Sequence, residues 1–159
     1  LTAARSAEVR LLHVEELQGD LWVIPAGRMK AGKEHRVPLS RAAMEVLDLA
    51  RRFESGGHLF IGNRGKPLSD MTLSMLLRRQ GFDARPHGFR SSFRTWCAET
   101  TDVPREIAEA ALAHITGSEV ERAYRRTDYL ERRAELMEQW AKFVTSVCGG
   151  DTMAGDRNG

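Results

Sequence analysis

The spacing of apolar residues predicts that the chain is almost wholly helical from residue 69 onward. Phe89, Phe93 and Trp96 stand at positions i, i+4 and i+7, so they share one face of a helix and are predicted to enter the core. The other predicted helices run from a cap at Ser69 to a stop at Gly81, follow Pro104, and follow a cap at Thr127 or Asp128.

The first part of the chain mixes helical and β-type patterns. Residues 1–12 carry apolar residues among charges and predict a helix that is already under way at the first residue. Ser40 is the predicted cap of a helix whose apolar positions extend to Phe53. Short β-rich runs predict three strands, at residues 21–24, 35–39 and 58–61, and the first two form a hairpin. The predicted fold class is therefore α+β, mainly helical with a small three-stranded antiparallel sheet.

Length and composition are those of one globular domain. The chain has 159 residues, of which 42% are hydrophobic and 29% charged, enough to bury a core. No apolar run approaches the roughly 20 residues of a membrane span. We expect one domain over residues 1–148 and a flexible tail over 149–159. We also expect a cytoplasmic fragment of a longer protein, because no secretion leader follows Leu1, two cysteines indicate a reducing compartment, and the first helix is predicted to start upstream.

Basic residues are concentrated in two segments, although the formal net charge is only +2. The first, the hairpin loop of residues 28–36, holds four basic residues against Glu34 alone. The second, the arginine-rich segment of residues 78–94, holds five arginines against Asp83 alone. Two such segments in a nearly neutral chain are typical of a phosphate-binding face, while a solvated charged surface is the alternative interpretation.

The pair His87 and Arg90 gives the arginine-rich segment a possible chemistry. The two residues are three apart, so on a helix they share a face and can meet one substrate group. Arginine can hold phosphate oxygens while histidine moves a proton or donates a hydrogen bond, which suits a phosphodiester centre. An exposed surface pair is the alternative. The histidines and cysteines show no spacing typical of a metal site.

His87-Gly-Phe-Arg90, followed by Phe-Arg-Thr-Trp, resembles the HxxR box of tyrosine recombinases, the phage integrase family. Further boxes of that family follow the same order along the chain. Arg5 with Glu8 is similar to the first arginine box, Lys30 stands where the family has its hairpin lysine, and Ala-Leu-Ala-His114 resembles the late histidine box. Tyr124 follows His114 by ten residues, close to the spacing of the family's nucleophile. The residue sequence of these boxes is most similar to that of integrases of prophages and genomic islands.

The resemblance implies a catalytic domain that lacks the family's N-terminal DNA-binding modules and the first part of its own fold. It implies a site-specific recombinase that needs no metal or cofactor, acts on double-stranded DNA at attachment sites, and forms a homotetramer on DNA when complete, in the bacterial cytoplasm at the nucleoid. The implied catalytic residues are Arg5, Lys30, His87, Arg90, His114 and Tyr124, with Glu8 in support. The expected DNA contacts are Arg28, Lys33, Arg85 and Arg94.

The resemblance also implies a role for each residue. Tyr124 attacks the scissile phosphate and forms a 3′-phosphotyrosyl link, while two arginines hold the non-bridging oxygens. Lys30 protonates the leaving 5′ oxygen, His87 assists deprotonation of the tyrosine, and His114 hydrogen-bonds the phosphate. Tyr129 is the competing nucleophile and is interpreted as structural. A recombinase-like module that binds without cutting, and a type IB topoisomerase-like enzyme, are the alternative functions.

Overall fold

A computed structural model of the chain describes residues 1–115 and 127–148. Its helices and strands are, in chain order, α1 (Ser6–Arg10), β1 (Leu17–Gln18), β2 (Leu21–Ile24), β3 (His35–Pro38), α2 (Arg41–Arg51), α3 (Thr72–Arg79), α4 (Gly88–Thr100), α5 (Arg105–Ala111) and α6 (Leu130–Cys148). The predicted class, mainly helical with a three-stranded antiparallel sheet, is confirmed. Within these described ranges, no helix has both the length and the apolar character to cross a membrane.

The sheet contains the predicted hairpin but not the predicted third strand. β2 and β3 pair antiparallel, with Trp22 opposite Val37, as expected. The third strand is β1, which precedes β2 and reaches it through a short turn, rather than the run at 58–61, so that prediction was wrong. Residues 58–61 make only isolated bridges, although Leu59 is buried in the core. The run therefore has a strand's apolar composition because it enters the core, while its backbone stays outside the ladder.

Two helices begin later than the sequence predicts. The first was expected over residues 1–12, but α1 spans only Ser6–Arg10, so the expectation of a helix under way at the first residue was wrong. Ala3 has a left-handed φ of 51°, a conformation that a right-handed helix cannot contain. The predicted cap Ser69 instead lies in a turn, its hydroxyl 2.9 Å from that of Thr72, where α3 begins.

Two other predicted boundaries are confirmed. The Ser40 hydroxyl accepts a hydrogen bond from the Ala43 N–H at 3.3 Å and caps α2. Gly81, with φ of 78°, takes the left-handed conformation just after α3, which explains why glycine stands there. The start of α6 differs from the prediction by one or two residues: the Thr127 hydroxyl accepts from the Tyr129 N–H at 3.0 Å, but the helix begins at Leu130, so neither Thr127 nor Asp128 directly precedes it.

In the part of the chain that the structure describes, buried apolar residues form two clusters, one around the helices and one around the sheet. The helical core joins α4, α5 and α6 through Phe93, Trp96, Cys97, Ile107, Ala108, Ala111, Leu112, Leu136, Met137 and Trp140. The sheet core joins the sheet, α2 and neighbouring loops through Leu12, Trp22, Ile24, Met29, Val37, Leu39, Ala43, Leu47 and Leu59. Each cluster also packs against a residue close to a predicted catalytic side chain: Ala3, two residues before Arg5, at the helical core, and Ala113, directly before His114, at the sheet core.

Not every residue of the predicted apolar stripes is buried. Phe93 and Trp96 enter the helical core as expected, but Phe89 is 54% exposed, so its assignment to the core was wrong. Phe89 stands in the first turn of α4 and lines an open apolar groove between that turn and α3. Phe53 is also exposed, because α2 ends two residues before it.

Candidate active site

Arg5 is held in place by Glu8. Arg5 is the extended residue that precedes α1, and its backbone N–H donates to the Glu8 carboxylate at 2.6 Å while its guanidinium contacts the same carboxylate at 2.7 Å. Glu8 is buried, and an ionised carboxylate away from water needs such partners. The pairing agrees with the predicted supporting role of Glu8, which orients Arg5 and offsets its charge.

Arg90 lies at the centre of the predicted boxes. It is the third residue of α4, and its guanidinium is buried, with only 6% of the residue exposed. It donates to the carbonyl oxygens of Ala3 and Leu112, and it contacts His114 Nε2 at 3.2 Å. Burial, reinforced by the charge of Arg5, lowers the pKa of Arg90 from its ordinary value. One arginine thus connects the N-terminal segment with the end of α5.

His114 follows α5 and turns back toward it. Ala113 adopts a left-handed φ of 50°, and the His114 N–H donates to the Glu109 carbonyl at 3.0 Å. The imidazole Nδ1 lies 2.6 Å from the Glu109 carboxylate, while Nε2 faces Arg90. The His114 side chain is 44% exposed, so its ring borders on solvent and is accessible to a ligand.

Beside His114 lies a cavity of about 330 Å³. Its wall includes Lys33 and His35 from the hairpin side and Tyr129 from the start of α6. Tyr129 is half-buried and packs against the helical core, which is consistent with its interpretation as a structural residue. The cavity is also lined by Ile115 and Thr127, the residues that border the segment 116–126.

The remaining predicted catalytic residues are not joined to this cluster. Lys30, in the hairpin loop, and His87, just before α4, are both exposed, and their side chains make no hydrogen bond or ion pair with another described residue. Tyr124 lies outside the described residues. The structure therefore brings together Arg5, Arg90 and His114, and leaves Lys30 and His87 on the surface.

Two of the arginines predicted to contact DNA are engaged inside the protein. Arg28 forms an ion pair with Glu16 and donates to the Glu8 carbonyl at 2.6 Å, which anchors the start of the hairpin loop to α1. Arg94 pairs with Glu109 at 2.7 Å. Lys33 and Arg85 are exposed. DNA contact stays a prediction for all four residues, and for Arg28 and Arg94 the ion pairs supply a different role.

Three residues of the site were missed by the sequence analysis. Glu109 contacts His114, and the only sequence signal was an acid within the apolar stretch of α5. His35 lines the cavity, and burial, reinforced by Arg133, lowers its pKa to about 4. Arg133 is fully buried on α6 and donates to the carbonyl oxygens of Asp128, at 2.8 Å, and of Arg36, at 2.7 Å. Arg133 therefore connects Asp128, which lies shortly after the segment 116–126, with Arg36 of β3.

Glu109 carries the clearest electrostatic signature of the three. Burial acts to raise the pKa of its carboxyl, but hydrogen bonds from Arg94 and His114 outweigh burial and hold the pKa below its usual range. Burial also lowers the pKa of Arg133, against the opposing charge of Asp128. Over residues 1–115 and 127–148, no cluster of three or more His, Cys, Asp or Glu side chains is arranged to hold a metal ion.

Comparisons with known proteins give one consistent result. The model of the phage integrase family matches residues 1–131. The chain is 36% identical over 157 residues to prophage integrase IntA of Escherichia coli K12, and the aligned region covers 94% of this chain and 38% of IntA. It is 32% identical over 166 residues to the integrase of enterobacteria phage P4, covering 91% of this chain and 38% of that protein. The chain therefore spans well under half the length of these relatives.

A solved structure shares the fold. It is described as a lambda integrase (75-356) dimer bound to a COC′ core site, and it matches with a TM-score of 0.54 and 22% sequence identity. The match covers 80% of this chain and 48% of that one. At this identity the likeness concerns the fold alone, while the family match extends over most of the sequence. The chain belongs to the phage integrase family of tyrosine recombinases.

Proposed function

We propose that this chain is the catalytic domain of a site-specific DNA recombinase, which cleaves and rejoins DNA through a 3′-phosphotyrosyl intermediate at Tyr124. The observation that carries the proposal is the convergence around Arg90. Its guanidinium contacts the segment that bears Arg5 and the loop that bears His114. In the sequence, Arg5 and His114 lie 85 and 24 positions away from Arg90, so no local motif brings the three residues together. Three residues assigned to one reaction from sequence thus share one place in the fold.

The Arg90 environment suits stabilisation of a pentacoordinate phosphate. Two backbone carbonyls hold its guanidinium before any substrate binds, so the charge needs little reorganisation during the reaction. Arg5 lies close enough for its charge to act on Arg90, and two neighbouring cations favour a dianionic ligand between them. This arrangement is expected to strengthen binding to the transition state more than binding to intact DNA.

The proposed reaction exchanges one phosphodiester for another. The Tyr124 hydroxyl oxygen forms a bond to the scissile phosphorus while the bond from phosphorus to the 5′ oxygen breaks. His87 assists removal of the phenolic proton, and Lys30 supplies a proton to the leaving 5′ oxygen. A lysine can give up a proton reversibly, whereas an arginine stays protonated. Rejoining is the same sequence in reverse, with a 5′ hydroxyl as the attacking group.

The proposed partner is double-stranded DNA at attachment sites. The fold relative is described as bound to a core site, which supports DNA as the partner of this chain. The exposed cations Lys33 and Arg85 are suited to contact backbone phosphates. We further propose that the complete protein assembles as a homotetramer on DNA, at the bacterial nucleoid. In this proposal residues 1–148 form the catalytic domain, and 149–159, which lie outside the described residues, form a tail.

Covalent capture of DNA tests the proposal. After cleavage, a nicked half-site loses the short fragment that carries the new 5′ hydroxyl, so the phosphotyrosyl product accumulates and migrates as a shifted band on a denaturing gel. The complete protein, including any sequence that flanks this chain, is expected to give the band on its own attachment site. Tyr124→Phe is expected to abolish the band and leave DNA binding within about 3-fold of the parent, because the phenolic oxygen alone is removed.

Tyr129→Phe is the matched control and is expected to keep the band. A band that survives Tyr124→Phe, or that disappears only in Tyr129→Phe, would move the nucleophile away from Tyr124. The absence of a band from the complete parent protein on its own site would favour a module that binds without cutting. Repeating the capture in a chelator tests the expectation that no metal is required.

A further inference from the structure

Glu109 occupies a position between an arginine and the predicted phosphate-binding histidine. It lies on α5 with 8% of the residue exposed. One carboxylate oxygen accepts from Arg94 Nε at 2.7 Å, and the other lies 2.6 Å from His114 Nδ1. The exposed Arg105 is more distant, with its Nε 3.7 Å from the oxygen that Arg94 already contacts. The carboxylate thus has a separate oxygen for each partner.

The two contacts of the His114 ring select one tautomer. The Arg90 guanidinium can only donate, so Nε2, which faces it at 3.2 Å, must accept and carry no proton. An ionised carboxylate can only accept, so Nδ1, which faces Glu109, must carry the ring proton. Both neighbours therefore require the same neutral ring, with the proton on Nδ1. Neither neighbour could be satisfied if the ring were flipped.

We propose that Glu109 is a positioning residue that fixes the His114 ring with its proton on Nδ1 and its Nε2 directed at Arg90. A carboxylate that accepts from one ring nitrogen sets both the tautomer and the orientation of the other. The catalytic consequence rests on the function proposed above. To hydrogen-bond the scissile phosphate, Nε2 must first take up a proton from solvent, and the ionised Glu109 carboxylate beside Nδ1 favours the charged ring that results. The tautomer itself does not depend on that function.

Glu109→Gln is expected to reverse the tautomer. Arg94 can only donate, so it retains the amide oxygen of the new side chain at the position it contacts now. The amide NH₂ is then turned toward His114 Nδ1, which must accept and lose its proton to Nε2. Removing Arg94 as well, in Glu109→Gln/Arg94→Ala, frees the amide to rotate, and the original tautomer is expected to return. Arg94→Ala alone keeps the carboxylate beside His114 and is expected to keep the parent tautomer.

Nitrogen-15 NMR of histidine-labelled protein measures this directly, with the His114 signals assigned from a His114→Gln variant. The parent and Arg94→Ala are expected to show a protonated Nδ1 and an unprotonated Nε2, Glu109→Gln the opposite, and the double variant the parent pattern. The inference is overturned if the parent carries its proton on Nε2, or if Glu109→Gln leaves the pattern unchanged. The parent spectrum alone decides the first point even if a variant fails to fold.

Covalent capture gives the second readout. Glu109→Gln is expected to reduce the capture rate about 10- to 100-fold, by analogy with the loss of the carboxylate that orients a metal-bound histidine, with DNA binding within about 3-fold. The double variant is expected to recover part of that loss. Equal rates for Glu109→Gln and the parent would overturn the catalytic consequence. Failure of the parent itself to capture DNA, with the tautomers as expected, would contradict the proposed function and leave the role of Glu109 supported.

Discussion

The hairpin loop and the arginine-rich segment are both strongly basic, yet the cations that the proposed reaction uses are held in opposite ways in the two segments. In the arginine-rich segment, Arg90 is buried between two carbonyls and Arg94 is paired with Glu109. In the hairpin loop, Lys30 and Lys33 are exposed and make no ion pair with another described residue. The first segment holds a fixed charge, while the second leaves lysines free to approach a ligand.

This difference matches the two kinds of chemistry that the proposed reaction needs. A charge that stabilises a transition state works best when its position is set in advance. A group that delivers a proton must reach the leaving oxygen and then change its protonation state, which a surface lysine can do and a buried arginine cannot. The loop is nevertheless anchored at its start, because Arg28 is bound to Glu16 and to the Glu8 carbonyl.

Arg90→Ala, which removes the buried arginine, is expected to have the largest effect on the capture rate. The capture rate should fall by about 10³-fold or more, because a preorganised donor to the developing charge is lost. DNA binding should change by less than about 10-fold. The free energy of unfolding should also fall by about 2–4 kcal/mol, since the Ala3 and Leu112 carbonyls lose a buried donor. Capture kinetics, DNA titration and urea unfolding measure the three quantities.

The exposed Arg85 is the matched control for Arg90 within the same segment. Arg85→Ala should leave the free energy of unfolding within about 0.5 kcal/mol of the parent, because the side chain lies on the surface. If Arg90→Ala lowered cleavage and DNA binding by the same factor, Arg90 would be a simple phosphate contact and the contrast between a fixed and a free cation would fail.

Lys30→Ala tests the role of the exposed lysine in the hairpin loop. Loss of a general acid should slow capture by about 10²-fold or more, while stability stays within about 0.5 kcal/mol of the parent. A substrate whose leaving 5′ oxygen is replaced by sulfur needs less protonation and should restore much of the rate. Capture rates on both substrates are the measurement. Lys33→Ala is the control, and an equal loss there on the oxygen substrate would show that the loop contributes charge rather than a proton.

His35→Gln should have the smallest effect, and it concerns stability alone. Because the pKa of His35 is lowered to about 4, the folded protein resists a proton that the unfolded chain accepts near pH 6.5. Stability is therefore lost as the pH falls, and this residue should contribute about 2 kcal/mol of that loss between pH 7 and pH 5. Urea unfolding at the two pH values should show a correspondingly smaller loss in the variant. An identical loss in both proteins would contradict the assignment.

Local signals in the sequence determined much of the secondary structure. The β2–β3 hairpin, the cap at Ser40 and the stop at Gly81 follow from residues that lie within a few positions of one another. The third strand could not be obtained in this way, because an apolar run such as 58–61 has the same composition whether it joins a sheet or only fills the core. Phe89 shows the same limit, since its helical spacing is correct and yet no element within residues 1–115 and 127–148 covers its side chain.

The residues of the candidate site were named from the sequence by their resemblance to family boxes, but their partners were not. The sequence by itself determined which side chains are available and in what order. Only the tertiary structure decided that Arg90 binds carbonyls from two distant segments, that Glu109 holds His114, and that Lys30 stays exposed. The reason is physical: burial and hydrogen bonding depend on which separated segments meet in space, and that is not encoded in any local spacing.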